Sequence, residues 1–573
     1  MISMKFKLPA TKQLYVWLFI LILAIIFVLG ASSFNLINQG SDYVKFSSPD
    51  ETANYFFTKV YAKTGTLAIF ENYNLYASDI VHPRSFRSDR GFMKPVSFLG
   101  IILIFGTLAK IFGLGIIPFL TPIFGAVGII FFYLLVEKLF SGRRIALISA
   151  ALLTFFPIYI YYSARSMFHN ILFVVLTIIA LYFLVSLLEQ KNEGEKTKIK
   201  FLSGKFNERD FIYSALTGSF FGLAVMTRLS ELIWLAPALL LVFIFYLRRF
   251  NLFRLALLIL FFGLALLPMA YWNQALYGSF TAGGYTEMNQ SLSSIVNIGH
   301  SGLSVSEAAK KVGHTIFYFG FNPQQSLTMF YNYVVLMFPW LVALASLGFI
   351  WLAASWRKFK KKYLVYLLTW ILLSAILILY YGSWKFTDNP DPRRFTIGNS
   401  YTRYWLPVYL GAMPLAAYFI DRFSQWFSRK RNWLSHIFSF VIIFAVFLHS
   451  VIFVLFGSEE GLVNVTYSNR ADKDLYEQVL AFTPPQSVII TKYHDKVLFP
   501  DRRVLMGLLT DDKMNEIYGR LAKVAPLYYL NFQFTPADFN YLKTSKLVQF
   551  GLDLELVKVI NKDFALYKLN LIK

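Results

Sequence analysis

The sequence predicts a polytopic α-helical membrane protein of about 11 transmembrane helices, followed by a small C-terminal α/β domain. Three observations carry this. Hydrophobic residues make up 57% of the 573 and mean hydropathy is +0.53, more apolar surface than a soluble chain of this length carries. These residues fall in blocks that reach the roughly 20 residues needed to cross a hydrocarbon core. After Gly457 the blocks stop, and polar sequence with short apolar runs takes over.

The net charge of +23 raises a nucleic-acid partner, but Lys and Arg cluster in short loops between apolar blocks, as the positive-inside bias requires. Membrane lipids are therefore the expected surroundings, and no nucleic acid is expected. The absence of Cys excludes disulfides and thiolate metal sites.

The first block, Leu14 to about Ala31, follows Lys5, Lys7 and Lys12. It reads as an uncleaved span with a cytoplasmic N-terminus, because it is long and no small-x-small cleavage site ends it. Basic loops at Lys138–Arg144, Glu189–Asp210, Arg248–Arg254, Arg357–Lys362 and Arg422–Arg431 mark the cytoplasmic side. Spans at 145–162, 167–188, 211–228, 230–247, 253–272, 326–353, 363–381, 404–421 and 436–457 alternate between them. Two apolar stretches, 96–112 and 115–137, compete for one crossing. The second is taken as the span and the first as an interfacial or re-entrant helix; the opposite choice gives the same parity. Residues 1–457 thus form a transmembrane domain with long extracytoplasmic loops at 32–94, 273–325 and 382–403. Residues 458–573 form an extracytoplasmic soluble domain. Its expected strands are Ser487–Thr491, Leu527–Leu530, Leu554–Ile560 and Phe564–Leu569, with helices at Asp472–Ala481, Asp511–Val524 and Pro536–Thr544. The protein is expected in the cell membrane.

Chemistry is expected at the outer membrane boundary. The span interiors are almost free of ionisable groups, His449 being the main exception, whereas ion-coupled transport needs polar groups near the midplane. The adjacent Asp50 and Glu51 place two carboxylates near the bilayer; one can act as a general base, or Asp50 can simply cap a helix. Lys94, before Pro95, is suited to a lipid phosphate or to ordinary snorkelling. Arg165 sits at a tight outer hairpin. Arg228 and Glu231 are spaced for a local ion pair. Arg403 and Tyr404 open a span as an interfacial anchor would.

Taken in order, Pro49-Asp50-Glu51, Lys94-Pro95, Arg165, the stretch Gly218 to Gly222 to Arg228, and Arg403-Tyr404 to Pro407 resemble the GT-C class of integral membrane glycosyltransferases. Relatives in that class are the lipid A aminoarabinose transferases and protein O-mannosyltransferases. The resemblance covers roughly residues 10–460. It implies an inverting sugar transfer from a polyprenyl-phosphate-linked donor to a protein, glycolipid or polysaccharide acceptor. Asp50 would be the catalytic base and Glu51 its partner. Lys94 would meet the carrier phosphate, and Arg165, Arg228, Glu231, Arg403 and Tyr404 would bind substrate. Where the family often carries an acid after Arg165, this chain reads Ser-Met-Phe-His169-Asn170. No cofactor is fixed by this; a divalent metal ion stays open, with His169, Asp42, Glu71, Asp79 and Asp89 as the remaining outside groups. The alternative class is a transporter or flippase of a lipid-linked substrate, which the sparse midplane charge disfavours.

Overall fold

The computed structural model describes residues 11–40, 43–190, 208–285, 319–354, 360–386, 388, 394–428, 432–457 and 459–572. Lys5, Lys7 and Asp42 lie outside these residues, as do parts of the expected loops 189–210, 273–325, 357–362, 382–403 and 422–431. The chain divides into two compact units. One comprises Met1–Asn35, Phe119–Pro268 and Gln290–Leu462; the other comprises Leu36–Pro118, Met269–Asn289 and Val463–Lys573.

The first unit is helical. Among the described residues of the whole chain, eight helices are long and apolar enough to cross a membrane, and two bent pairs raise the number to ten. These helices mark a multi-pass membrane protein. The remaining expected span, 404–421, is helix Leu406–Phe427. It is not among the ten: it carries Asp421, Arg422, Ser424 and Gln425 in its last turns, and most of it is buried within the unit. The bends have local causes. Arg143–Thr154 and Pro157–Ala164 meet at 51°, and Pro323–Leu336 and Pro339–Ala354 at 94°. Each second helix opens on a proline, which lacks the N–H needed to continue the preceding ladder and drives the residue before it out of the α region.

Two charge pairs tie helix ends together. Arg254, almost wholly buried, meets Asp210 at 2.7 Å, and Arg144 meets Asp421 at 3.2 Å. Close helix packing explains one sequence motif. Gly218 and Gly222 lie on Glu208–Thr227; a Cβ on Gly218 would come within 2.3 Å of the Leu258 carbonyl oxygen, and one on Gly222 within 2.7 Å of that of Phe262. This is the small-xxx-small contact that lets two membrane helices approach backbone to backbone.

In the second unit, helix α2 spans Pro49–Thr64, following helix α1 at Thr11–Asn38. The N-cap of α2 is Ser48, not Asp50. Pro49 takes the first helical position, where its fixed φ and missing N–H cost nothing, so the cap falls on Ser48 and Asp50 lies in the first turn. Glu51 completes a capping box by accepting the Ser48 N–H at 3.0 Å. Helix α3, Gly100–Phe112, has 13 residues. At about 1.5 Å per residue it is near 20 Å long, short of the roughly 30 Å of a hydrocarbon core.

Strands β1 (Ile69–Phe70), β2 (Phe86–Asp89) and β3 (Phe92–Pro95) form an antiparallel sheet in the order β1-β3-β2. The β2–β3 turn has Arg90 at φ 51° and Gly91 at φ 84°, the two positive angles of a type I′ hairpin. Asp79 holds that turn by accepting from the backbone N–H groups of Arg90 and Gly91 and from the Ser88 hydroxyl.

A second sheet contains β4 (Val488–Thr491), β5 (Arg503–Met506), β6 (Leu527–Phe532), β7 (Leu552–Val559) and β8 (Phe564–Leu571), in the order β5-β4-β6-β8-β7. β4 is parallel to both β5 and β6, and the other pairs are antiparallel. β5 was not expected: four residues reading Arg-Val-Leu-Met carry no alternation. The expected helix 472–481 is longer, running over Leu462–Phe482. The core of this sheet includes Ala77 and Val81, together with Val488, Ile490, Leu527 and Tyr567. The first loop therefore supplies core residues to a sheet formed some 400 positions later.

Two expectations follow. Gly222→Val forces a side chain against backbone, so thermal stability should fall by about 1–3 kcal/mol, and Gly222→Ala should lie between it and wild type in a detergent melting series. In the second unit, His494 is buried against the Phe564 ring. Burial first, then the Lys496 and Arg84 charges, push its pKa from 6.5 down to about 4 despite adjacent Asp495. The unfolded chain thus binds the proton more readily. This contribution to stability is complete above pH 6.5 and is lost as pH falls toward 4. Melting between pH 7.5 and 4.5 should be less acid-sensitive in His494→Gln than in wild type.

Candidate active site

The eight expected site residues fall into two groups, one in each compact unit. Asp50, Glu51 and Lys94 belong to the second unit. Asp50 Oδ1 accepts the Ser85 hydroxyl at 2.7 Å, and among the described residues Oδ2 makes no hydrogen bond. Ser85 has φ 63° and directly precedes β2. On the paired strand, Lys94 stands opposite Arg87 and Pro95 opposite Phe86. One short hairpin therefore holds both the hydroxyl that orients Asp50 and the Lys94 ammonium. Lys94 Nζ donates to Asp89 at 3.1 Å and to the Leu276 carbonyl at 2.9 Å, leaving one of its three N–H groups to offer a ligand. The same ammonium holds the Asp89 carboxyl below the usual carboxylate range. Glu51 is buried, and its carboxylate accepts the Ser48 N–H.

The first unit gathers Arg165, Arg228, Glu231, Arg403 and Tyr404 around aromatic rings. Arg228 follows the end of helix Glu208–Thr227, and its Nε donates to Glu231 Oε1 at 2.9 Å. Both side chains are buried. The Tyr381 hydroxyl donates to the same Glu231 oxygen at 2.8 Å, and the Trp234 indole N–H to the other. The Arg228 guanidinium lies 4.7 Å from the Tyr404 ring centre, and Tyr404 stacks on Tyr381 at 4.4 Å. Arg403 lies over the Phe168 ring at 4.7 Å and Arg165 over the same ring at 5.5 Å. The local (i, i+3) pair read from spacing is present, but its partners Tyr381 and Trp234 were not foreseen.

Two carboxylates were also missed. Asp388 accepts the Ser400 hydroxyl at 2.6 Å, and Ser400 in turn accepts from Arg403 at 2.8 Å. Glu460 accepts the Thr396 hydroxyl. Burial raises the Glu460 carboxyl above its ordinary range, opposed by Thr396 and the Arg165 charge. Neither residue is near Arg165 in sequence, so spacing held no signal for them.

The chain between Arg165 and His169 is strained, with Met167 at φ 70°, a region that a residue with a Cβ rarely visits and that clusters at functional sites. His169 is buried at the start of helix His169–Glu189. Three of the remaining candidate acids are otherwise engaged: Asp79 in the hairpin turn, Asp89 on Lys94, and Glu71 on Arg503 at 3.2 Å. Among the described residues, no three His, Asp or Glu side chains are grouped to hold a metal ion.

With this geometry in place, similarity to known proteins can be set beside it. A family described as dolichyl-phosphate-mannose-protein mannosyltransferase matches residues 99–272. ArnT from Cupriavidus metallidurans, bound to undecaprenyl phosphate, superposes with a TM-score of 0.55 at 12% identity, covering 98% of each chain. The chain has a GT-C fold. The oligosaccharyltransferase of Archaeoglobus fulgidus in its apo form superposes with a TM-score of 0.52 at 13% identity, over 91% of this chain and 70% of that one. The apo state of the same ArnT gives 0.50 at 12% identity. No curated protein sequence matches the chain.

The Arg228 cluster makes a distinct prediction. Glu231→Gln leaves a buried guanidinium without its counter-charge, so stability should fall by about 3–5 kcal/mol. Tyr381→Phe, which removes one hydrogen bond to that carboxylate, should cost about 1–3 kcal/mol. Equal melting temperatures for Glu231→Gln and wild type would show that the pair does not stabilise the break after helix Glu208–Thr227.

Proposed function

We propose that the protein transfers a sugar from a polyprenyl-phosphate donor to an acceptor at the extracytoplasmic membrane face, with inversion at the anomeric carbon. The observation that carries this reading is the state of Asp50: one carboxylate oxygen is oriented by Ser85 and the other is open, on the same hairpin framework as Lys94. In the proposed step Asp50 takes the proton of the acceptor hydroxyl or amine. The acceptor atom bonds to the anomeric carbon as the bond from that carbon to the phosphate oxygen breaks. The carrier phosphate leaves with the electron pair, and Lys94 stabilises its charge. A phosphate leaving group needs positive charge more than a proton, which fits the Lys94 ammonium.

The GT-C fold supports this, since one solved relative is bound to undecaprenyl phosphate. A cavity of about 240 Å³ within the first unit supports it as well. Its walls are almost wholly apolar, and Trp234, the indole partner of Glu231, is among them. Such a space suits isoprene units. Arg165, Arg228 and Arg403 are then the groups nearest in character to a phosphate or sugar site in that unit, with Glu231 and Tyr404 holding them in place.

The decisive measurement is sugar release from a panel of radiolabelled polyprenyl-phosphate sugars. Asp50→Asn should reduce turnover of the accepted donor at least about 100-fold with an unchanged melting temperature. Lys94→Ala should reduce it as well. A folded and fully active Asp50→Asn removes Asp50 as the base. No turnover of any donor, with carrier binding that survives both substitutions, favours transport.

A further inference from the structure

A second cavity, mostly apolar but lined by several charged side chains, lies beside α2, within the second unit and on a different set of side chains from Asp50. It has a volume of about 360 Å³, within the range of small-ligand sites. One wall is a continuous helical face: Thr52, Tyr55, Phe56, Lys59, Val60 and Lys63 recur at spacings of three and four. The opposite wall includes Phe46, Phe499 and Lys45.

Charge and ring chemistry both select the ligand. Three lysines and one aspartate, Asp501, line the space, a net of two positive charges. Lys45 is buried and donates to Asp501 at 2.7 Å and to the Phe499 carbonyl, so the single acid is already neutralised. Lys59 and Lys63 make no ion pair among the described residues. They are like charges four apart on one helix face, an arrangement that destabilises a helix and that an anion between them relieves. Tyr55, Phe56, Phe46 and Phe499 supply aromatic faces next to them. Lysine is a point charge suited to phosphate, and aromatic faces pack against the C–H surface of a polyol.

We propose that this cavity binds a phosphorylated polyol, either a sugar phosphate or a phosphoglycerol headgroup, through Lys59 and Lys63. Binding here does not depend on Asp50. The site uses side chains other than Asp50, and within the transfer reading its role is to anchor an acidic acceptor.

The test is equilibrium dialysis of the full-length protein in neutral detergent with radiolabelled glucose 1-phosphate, and with glucose as the uncharged control. Wild type and Asp50→Asn should bind the phosphate alike and ignore glucose. The double variant Lys59→Gln, Lys63→Gln should bind at least 10-fold more weakly at an unchanged melting temperature, and Lys59→Arg with Lys63→Arg should recover most of the binding. Competition by dihexanoyl phosphatidylglycerol separates the two sources: displacement of the label at lower concentration than unlabelled glucose 1-phosphate assigns the site to a headgroup, and weaker displacement assigns it to a sugar phosphate. Equal binding by wild type and the Gln variant, equal binding of glucose, or no binding of either phosphate probe overturns the proposal.

Discussion

The interior of a bilayer offers no water to a stranded polar group, and most of this architecture follows from that. Backbone N–H and C=O groups must pair within each segment, so the apolar blocks become helices. Ionisable side chains are expelled toward helix ends, and where they remain buried they are paired, as Arg254 is with Asp210 and Arg228 with Glu231. Without a hydrophobic drive between helices in lipid, close approach depends on small residues, and Gly218 and Gly222 provide it.

The second unit is organised around two β-sheets. Its position-setting device is the hairpin of β2 and β3, whose turn is locked by Asp79 and whose strands present Ser85 and Lys94. Ala77 and Val81 on the same loop enter the core of the five-stranded sheet. Arg84, next to Ser85, bonds the buried Asp495 at 2.6 Å. The loop that carries the candidate base is thereby held by sheet residues far along the chain, which gives the Asp50 carboxylate a defined surrounding.

Long-range partners are what a linear reading lacks. Local signals were legible: the apolar blocks, the Pro157 and Pro339 breaks, the Arg228–Glu231 spacing and four of the five C-terminal strands. β5 was not, because it is four residues long and buried by its neighbours' pairing rather than by its own pattern. Asp388 and Glu460 were passed over for a related reason. Each draws its meaning from a hydroxyl on another segment, Ser400 or Thr396, and no spacing encodes that.

The sequence by itself determined that this is a multi-pass helical protein of the GT-C kind with a polar α/β tail, because block length, loop charge and motif order are one-dimensional quantities set by the bilayer. It also determined which residue types stand at span ends. Only the tertiary structure decided that the first loop and the C-terminal segment build one compact unit, that Glu51 caps a helix while Asp50 keeps an open oxygen, and that two lysines of α2 face an aromatic cavity. Those outcomes depend on contacts between residues hundreds of positions apart, where hydrogen-bond geometry and burial are chosen by packing rather than by any local preference of the chain.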